Sequence, residues 1–453
     1  MTITTHMNRT ALAAALLLTL PAAAEETPAA EPEYTLLEAI KTGKPMTSFR
    51  LRYEEVEQDG NGPAGTIGAG KPLQDAKGLT LRSLIGWQTA PFKNFSFAGQ
   101  LIDVSKLKDD FNDSTNGTLI NGGSNQFDRA DHAKIVDPDY TGLNQLYMDW
   151  TGIKNTRLRL GRQQVNLDNV RFVGDIGFRQ VMQVFDGVSV LNKTIPDTEI
   201  FLAHFEGVRQ ITTVKRDDGA LDIANLKYRI SPSESLVGYA YLSDFKDLGL
   251  SNGWFGAAGI DQSHKTFGAR LDGVRKVSDD WKVLYTAEYA KQSDYQGGDS
   301  RIDAHYYKVG GGAAYGDLAL RVDQELLSSN DGQFAFQTPF GTNHLFQGWV
   351  DKFLATPREG IRDTFVTATY KVGDFAFFAD YHWIKSDEDF TRVGGGTGDQ
   401  YGKEWNVAAT YTYDKNLMGK VEYGAFKEDD PYKATASRIR DTDKLWLTVM
   451  YTF

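Results

Sequence analysis

Apolar and polar residues alternate with a period of two along most of the chain. The end of the sequence is clearest: Leu445, Leu447, Val449, Tyr451 and Phe453 alternate with Trp446, Thr448, Met450 and Thr452. That period places one set on one face of a β-strand and the other set opposite. Phe49, Leu51 and Tyr53 alternate with Arg50, Arg52 and Glu54, and Leu79, Leu81, Ile85 and Trp87 with Thr80 and Arg82. Further along, Leu158 and Leu160 alternate with Arg157 and Arg159; Leu226, Tyr228 and Ile230 with Lys227 and Arg229; Phe267, Ala269 and Leu271 with Arg270 and Asp272. In the last third, Leu318, Leu320 and Val322 alternate with Arg321, Asp323 and Glu325, and Phe375, Phe377, Tyr381 and Trp383 with Asp380 and His382.

The pattern predicts eighteen strands, with sixteen as the alternative count. Connections alternate between short (231–234, 316–317, 371–374, 414–416) and long (57–77, 105–142, 244–264, 329–361, 385–402). Trp and Tyr recur near strand ends on the apolar face, as an interfacial girdle requires. A sheet in lipid must close on itself, because its backbone polar groups have no other partners there. The expected fold is therefore all-β: a transmembrane antiparallel β-barrel over residues 47–453, with short periplasmic turns and long extracellular loops. A barrel of that size encloses an aqueous lumen.

The leader fits this. Arg9, an apolar run from Ala11 to Leu20, and Ala22-Ala23-Ala24 make a signal peptide over residues 1–24, with Glu25 as the mature N-terminus. Met7 opens a more ordinary leader than Met1, so residues 1–6 are read as an addition or an upstream start. Residues 25–46, rich in Pro and charge, are read as a periplasmic N-terminal segment, partly mobile. The chain has 453 residues, no Cys and a formal charge of −11. Without cysteine, disulfides and thiolate chemistry are excluded, and export then points to a bacterial envelope. No Lys/Arg-rich block suggests nucleic acid, and no spacing calls for a metal or cofactor.

The inward face carries Arg50, Arg52, Arg82, Arg157, Arg159, Arg229, Arg270 and Arg321. A guanidinium is always charged and grips carboxylates bidentately, so an arginine-lined lumen would favour anions. Inward acids, among them Asp149, Asp272, Glu288, Asp323 and Glu422, offer each arginine a cross-strand partner instead. Catalysis has little support: Asp380 and His382 share a strand face, with no nucleophile and positioned base. The acidic run 109–113 fits no full calcium motif and reads as a solvated loop.

The segment from Phe336 through Phe340, His344, Phe346, Trp349 and Asp351 to Phe353 resembles the central signature of the alginate-export porin family. Gly161-Arg162-Gln163 followed by Phe185-Asp186-Gly187-Val188 is similar to a second segment of that family. The resemblance implies an 18-stranded outer-membrane barrel with an arginine-lined, loop-constricted lumen. So many aromatics in a solvated loop are unusual. The loop is therefore expected to fold back and narrow the pore through Phe336, Phe340, His344, Phe346, Trp349 and Asp351. The functional expectation is passive passage of polar, above all anionic, solutes. Export of an anionic polysaccharide such as alginate and a loop-plugged barrel with a structural role are the alternatives. The expected partners are outer-membrane lipid, the solutes themselves and, through the terminal Phe453, the barrel-insertion machinery.

Overall fold

A computed structural model describes residues 34–61, 70–113, 129, 131–248, 260–433 and 439–453. Eighteen antiparallel strands make up the wall. They are β1 Ser48–Gln58, β2 Ala76–Gln88, β3 Phe95–Asp110, β4 Tyr140–Trp150, β5 Thr156–Gln163 and β6 Val184–Asn192. Next come β7 Thr198–Arg209, β8 Leu221–Ser231, β9 Glu234–Ser243, β10 His264–Lys276, β11 Trp281–Asp294 and β12 Asp303–Tyr315. The wall ends with β13 Leu318–Leu327, β14 Ile361–Val372, β15 Phe375–Thr391, β16 Thr397–Thr412, β17 Leu417–Glu428 and β18 Thr442–Thr452. Each strand pairs with its sequence neighbours, and β1 pairs with β18 from Ser48↔Thr452 to Gln58↔Thr442. That last ladder closes the cylinder and leaves no free sheet edge.

The outward set is the apolar set of the sequence pattern. Val322, Leu320, Val449, Val421 and Leu51 lie exposed on the outer wall. Trp281 and Tyr315 near one end, and Tyr289, Trp383 and Trp405 toward the other, bracket them. The eight turns at the first end are short, such as 232–233, 316–317 and 373–374. Loops on the other side reach the length of 328–360. One expected long loop is absent: 385–402 is mostly strand, because β15 and β16 continue to Thr391 and from Thr397 around a register shift. There the paired strands stand above the apolar band, so their sequence shows no apolar alternation.

The signal-peptide segment lies outside the described residues. The lead that follows is partly ordered: Leu36–Lys41 form a helix started by a capping box between Thr35 and Glu38. The Trp87 indole N–H donates to the Ile40 carbonyl at 2.8 Å, and Lys44–Pro45 pair with the end of β2. The lead is thereby held at the short-turn rim.

The largest apolar cluster lies inside the barrel. Inward Phe185, Phe205, Tyr239, Tyr241 and Tyr306 of β6, β7, β9 and β12 meet Phe172 of loop 164–183 and Phe336, Phe340 and Phe353 of loop 328–360. Buried aromatics facing a lumen need something apolar to cover them, and the two loops supply it.

Candidate functional site

Loop 164–183 and loop 328–360 enter the lumen together and pair with each other. Val173 and Phe340 form a parallel bridge, Gly174 N–H donates to the Phe340 carbonyl at 2.9 Å, and Gln183 Nε2 reaches the same carbonyl. Phe336, Phe340, His344 and Trp349 are buried, Phe346 is half-buried, and the Asp351 side chain is 6% exposed.

A loop inside a barrel carries backbone carbonyls that no ladder serves. Inward arginines of β1 and β2 take them up. Arg50 donates to the carbonyls of Gly177 and Arg179 at 2.7 and 2.6 Å and to Gln180 Oε1 at 2.9 Å. Arg52 donates to the Phe178 carbonyl and lies over the Phe178 ring at 4.2 Å. Arg82 approaches the Arg179 carbonyl at 3.5 Å. The face assigned to these three in the sequence is the one they occupy, and their N–H groups point at protein carbonyls.

Two arginines of loop 164–183, which the strand pattern does not single out, tie the assembly together. Arg171, 1% exposed, donates from Nε to Glu325 at 2.9 Å and from its Nη atoms to Thr338, Asn343 and Gln347 at 3.3, 3.1 and 3.0 Å. Arg179 pairs with Glu54 of β1 at 2.9 Å and with Asp351 at 2.7 Å. Asp351 also receives Lys444 of β18 at 2.9 Å and His344 Nδ1 at 2.7 Å. Burial opposes ionisation of Asp351, yet Lys444, His344 and Arg179 outweigh it and hold its carboxyl well below the usual range. Burial likewise disfavours charged Arg179, but Glu54, Asp351 and Asp137 keep it more firmly protonated than in water. His344 stacks on Phe178, ring centroids 3.4 Å apart, and burial pulls its pKa down. Trp349 stacks on Phe378 of β15 at 4.8 Å, and Val350 N–H donates to Glu404 at 3.0 Å.

The other predicted arginines line the wall from β5 to β13. Arg159 grips Asp149 bidentately at 2.6 and 2.8 Å and lies over Tyr147. Arg321 grips Asp323 through two N–H groups, Arg270 pairs with Asp272, and Arg229 lies 3.3 Å from Asp197. Arg157, on the face of Arg159, forms no ion pair among the described residues, nor do Lys227 and Lys308. Lys308 lies 5.5 Å from the Phe346 ring and 5.2 Å from Phe365. His382 is buried between Asp363 at 2.8 Å and Asp380 at 3.1 Å, an internal ion-pair arrangement on β14 and β15.

The inward aromatics were a legible sign of this filling. A water-filled lumen has no use for Phe185, Phe205, Tyr239 and Tyr306, and only a loop docked against them explains their side. Nothing comparable in the sequence marks Arg171 or Arg179, whose partners lie far away along the chain.

The family model described as alginate export matches residues 48–326. No curated protein matches the chain. Among solved structures, OpdL of Pseudomonas aeruginosa is similar with a TM-score of 0.63 and 14% identity, covering 91% of this chain and 99% of that chain. OpdK of the same organism, solved with vanillate, gives 0.62 and 13% over 91% and 98%. OccAB4 of Acinetobacter baumannii gives 0.62 and 13% over 89% and 97%. At these identities the likeness is one of fold.

Proposed function

The chain belongs to the alginate-export family of outer-membrane barrels, and on that premise we propose that it is a channel for polar, chiefly anionic, solutes. The observation that carries this reading is the run of cations on the inner wall. Arg157, Lys227 and Lys308 face inward without an ion pair among the described residues, beside Arg159, Arg229, Arg270 and Arg321, each of which carries an aspartate. Fixed cations along a narrowed path raise the local anion concentration and reject cations. Phe336, Phe340, His344, Phe346, Trp349 and Asp351 serve in this reading as the constriction, held by Arg171 and Arg179. A small carboxylate such as vanillate, which the OpdK structure holds, is the first solute to try.

The test is a reversal potential under a potassium chloride gradient, with purified protein in a planar bilayer. The expected result is anion-selective current, reduced by added vanillate. A cation preference would mean that the lumen acids dominate and would remove the reading. The family description supports a second reading, export of a linear anionic polysaccharide. Block of the current by alginate oligomers from the periplasmic side alone would favour it. The terminal strand ending in Phe453 is inferred to be the insertion signal. Deleting Phe453 should lower the amount of folded, heat-modifiable protein in the outer membrane and leave synthesis unchanged.

A further inference from the structure

The helix that precedes the wall is built the wrong way round for water. In Leu36–Lys41 the small Ala39 is fully buried, while Leu36, Leu37 and Ile40 are 53%, 60% and 45% exposed. At the helical repeat these three fall within an arc of about 100°, with Lys41 at its edge and Glu38 on the opposite side. Three large apolar side chains on one arc are a patch, not scattered surface residues. A helix this short is not stable by itself, so what its faces touch must hold it.

The contacts place it. The Ile40 carbonyl accepts the Trp87 indole N–H at 2.8 Å, and the Ala39 carbonyl accepts the Ala90 N–H at 2.9 Å. Thr42 and Gly43 then turn the chain back along β2, where Lys44 pairs with Gln88 and Pro45 with Trp87. A Cβ on Gly43 would overlap Trp87 Nε1, so glycine is what lets the indole come in. Trp87 ends the outward row Leu81, Ile85, Trp87 of β2. Across the next turn, β3 opens with Phe95, Phe97 and Leu101, also outward and exposed. The helix is thus pinned to the ring that ends a lipid-facing row, and its apolar arc adjoins a surface that hydrocarbon already covers.

The charges at this rim have one sign. Lys41, Lys44 and Lys93 are all exposed. Residues 39–53 and 78–102 contain no Asp or Glu, in a chain with 60 acids against 49 bases. Glu38, the acid of the helix, is turned back on Thr35 in the capping box. Lysine stems run along apolar surface and carry their ammonium heads out to phosphates.

We propose that Leu36–Lys41 is an interfacial anchor lying in the headgroup layer of the periplasmic leaflet, with Leu36, Leu37 and Ile40 against the acyl chains. Short turns mark the periplasmic side of such barrels. The occupant of the exposed arc is phospholipid, because the arc continues the lipid-facing wall and the lysines beside it match phosphate. Trp87 suits that layer: its ring is apolar, and its N–H needs a partner, which the helix supplies. The anchor fixes the start of β1, the strand that closes the barrel against β18, at the membrane surface. It is independent of what passes through the lumen.

The chain contains no cysteine, so a single cysteine carries a probe to one place. Leu37→Cys, Val322→Cys on the lipid face and Asp317→Cys in a short turn are each labelled with a nitrobenzoxadiazole fluorophore. The folded protein is placed in nanodiscs of phosphatidylethanolamine and phosphatidylglycerol, which leave both membrane faces open to iodide. Lipid bearing a nitroxide near the headgroup end of its acyl chain should quench the Leu37 probe as it does the Val322 probe. Iodide should quench the Leu37 probe several-fold less than the Asp317 probe. Iodide quenching equal to that of Asp317→Cys would overturn the proposal, because the arc would then face water. Shielding from both quenchers would overturn it too, because protein would then cover the arc. Leu36→Glu with Ile40→Glu should bring the Leu37 probe within reach of iodide while heat-modifiable migration persists. A probe that stays in lipid in that folded variant would also overturn the proposal, and if the variant fails to fold, the single-cysteine comparison decides alone.

Discussion

Replacing Arg171 by alanine should loosen both infolded loops at once. Its guanidinium touches the wall through Glu325 and loop 328–360 through Thr338, Asn343 and Gln347, while belonging to loop 164–183. Removing one partner of a buried pair costs about 3–5 kcal/mol, because the other charge stays behind. The lower end applies here. Glu325 keeps the Tyr306 hydroxyl at 2.8 Å and the Gln347 amide. About 3 kcal/mol shifts the balance between docked and undocked loops roughly a hundredfold.

The barrel ladders do not involve Arg171, so the variant should fold and insert. In a planar bilayer its open conductance should rise, with added flicker in the microsecond-to-second range of lid opening and local unfolding. Trypsin should cut after Arg179, which is buried in the docked state. Arg171→Lys keeps the charge but loses the planar fork and should fall between. Unchanged conductance, noise and trypsin resistance in Arg171→Ala would refute the role given to this residue.

Two further outcomes follow from the same docking. Gly348→Ala should act like Arg171→Ala, because Gly348 has φ +88° and a Cβ there would lie 2.2 Å from the Glu404 carboxyl carbon; a conductance equal to wild type would contradict this. The loops should also loosen toward acid. Burial, with Lys444 and Arg440 nearby, pushes the Lys352 amine down to about 7. In the undocked loop it titrates near ~10.4, so the docked state binds fewer protons between those values and docking weakens as pH falls through that window. Below about 7 the lysine contribution is flat, and His344, lowered chiefly by burial, adds a second loosening below its ordinary ~6.5. Lys352→Met should remove the alkaline limb and leave the acid one. Conductance that does not change with pH would contradict both assignments.

The wall was legible because each outward residue faces the same solvent, hydrocarbon, and so obeys one rule. Leu447, Val449 and Tyr451 outward against Trp446 and Thr448 inward is the alternation read directly. The rule lapses where the solvent changes. Above the band, residues 385–402 continue as paired strands, and no apolar outward face marks them in the sequence. The infolding of loop 328–360 showed through its aromatics. That of loop 164–183 did not, because the backbone carbonyls of Gly177, Phe178 and Arg179 carry no sequence signature and the partners of Arg171 and Arg179 lie far away along the chain. Arg50, Arg52 and Arg82 were placed on the correct face, and a face does not tell whether a guanidinium meets solute or loop.

That distinction sets the order in which the arginines should matter for selectivity. A lumen cation acts on a passing anion only to the extent that its charge is neither neutralised nor screened by protein. Arg159, Arg270 and Arg321 each carry an aspartate, so each contributes little net field at a distance. Arg50 and Arg52 are buried behind loop 164–183. Arg157, Lys227 and Lys308 are left, without an ion pair among the described residues. Arg157→Ala should therefore shift the reversal potential toward zero more than Arg159→Ala does. Arg50→Ala should change conductance and noise through the loop while moving selectivity least. If Arg50→Ala shifts the reversal potential as far as Arg157→Ala, the field at the path comes from the loop-holding cluster and the assignment of these roles is reversed.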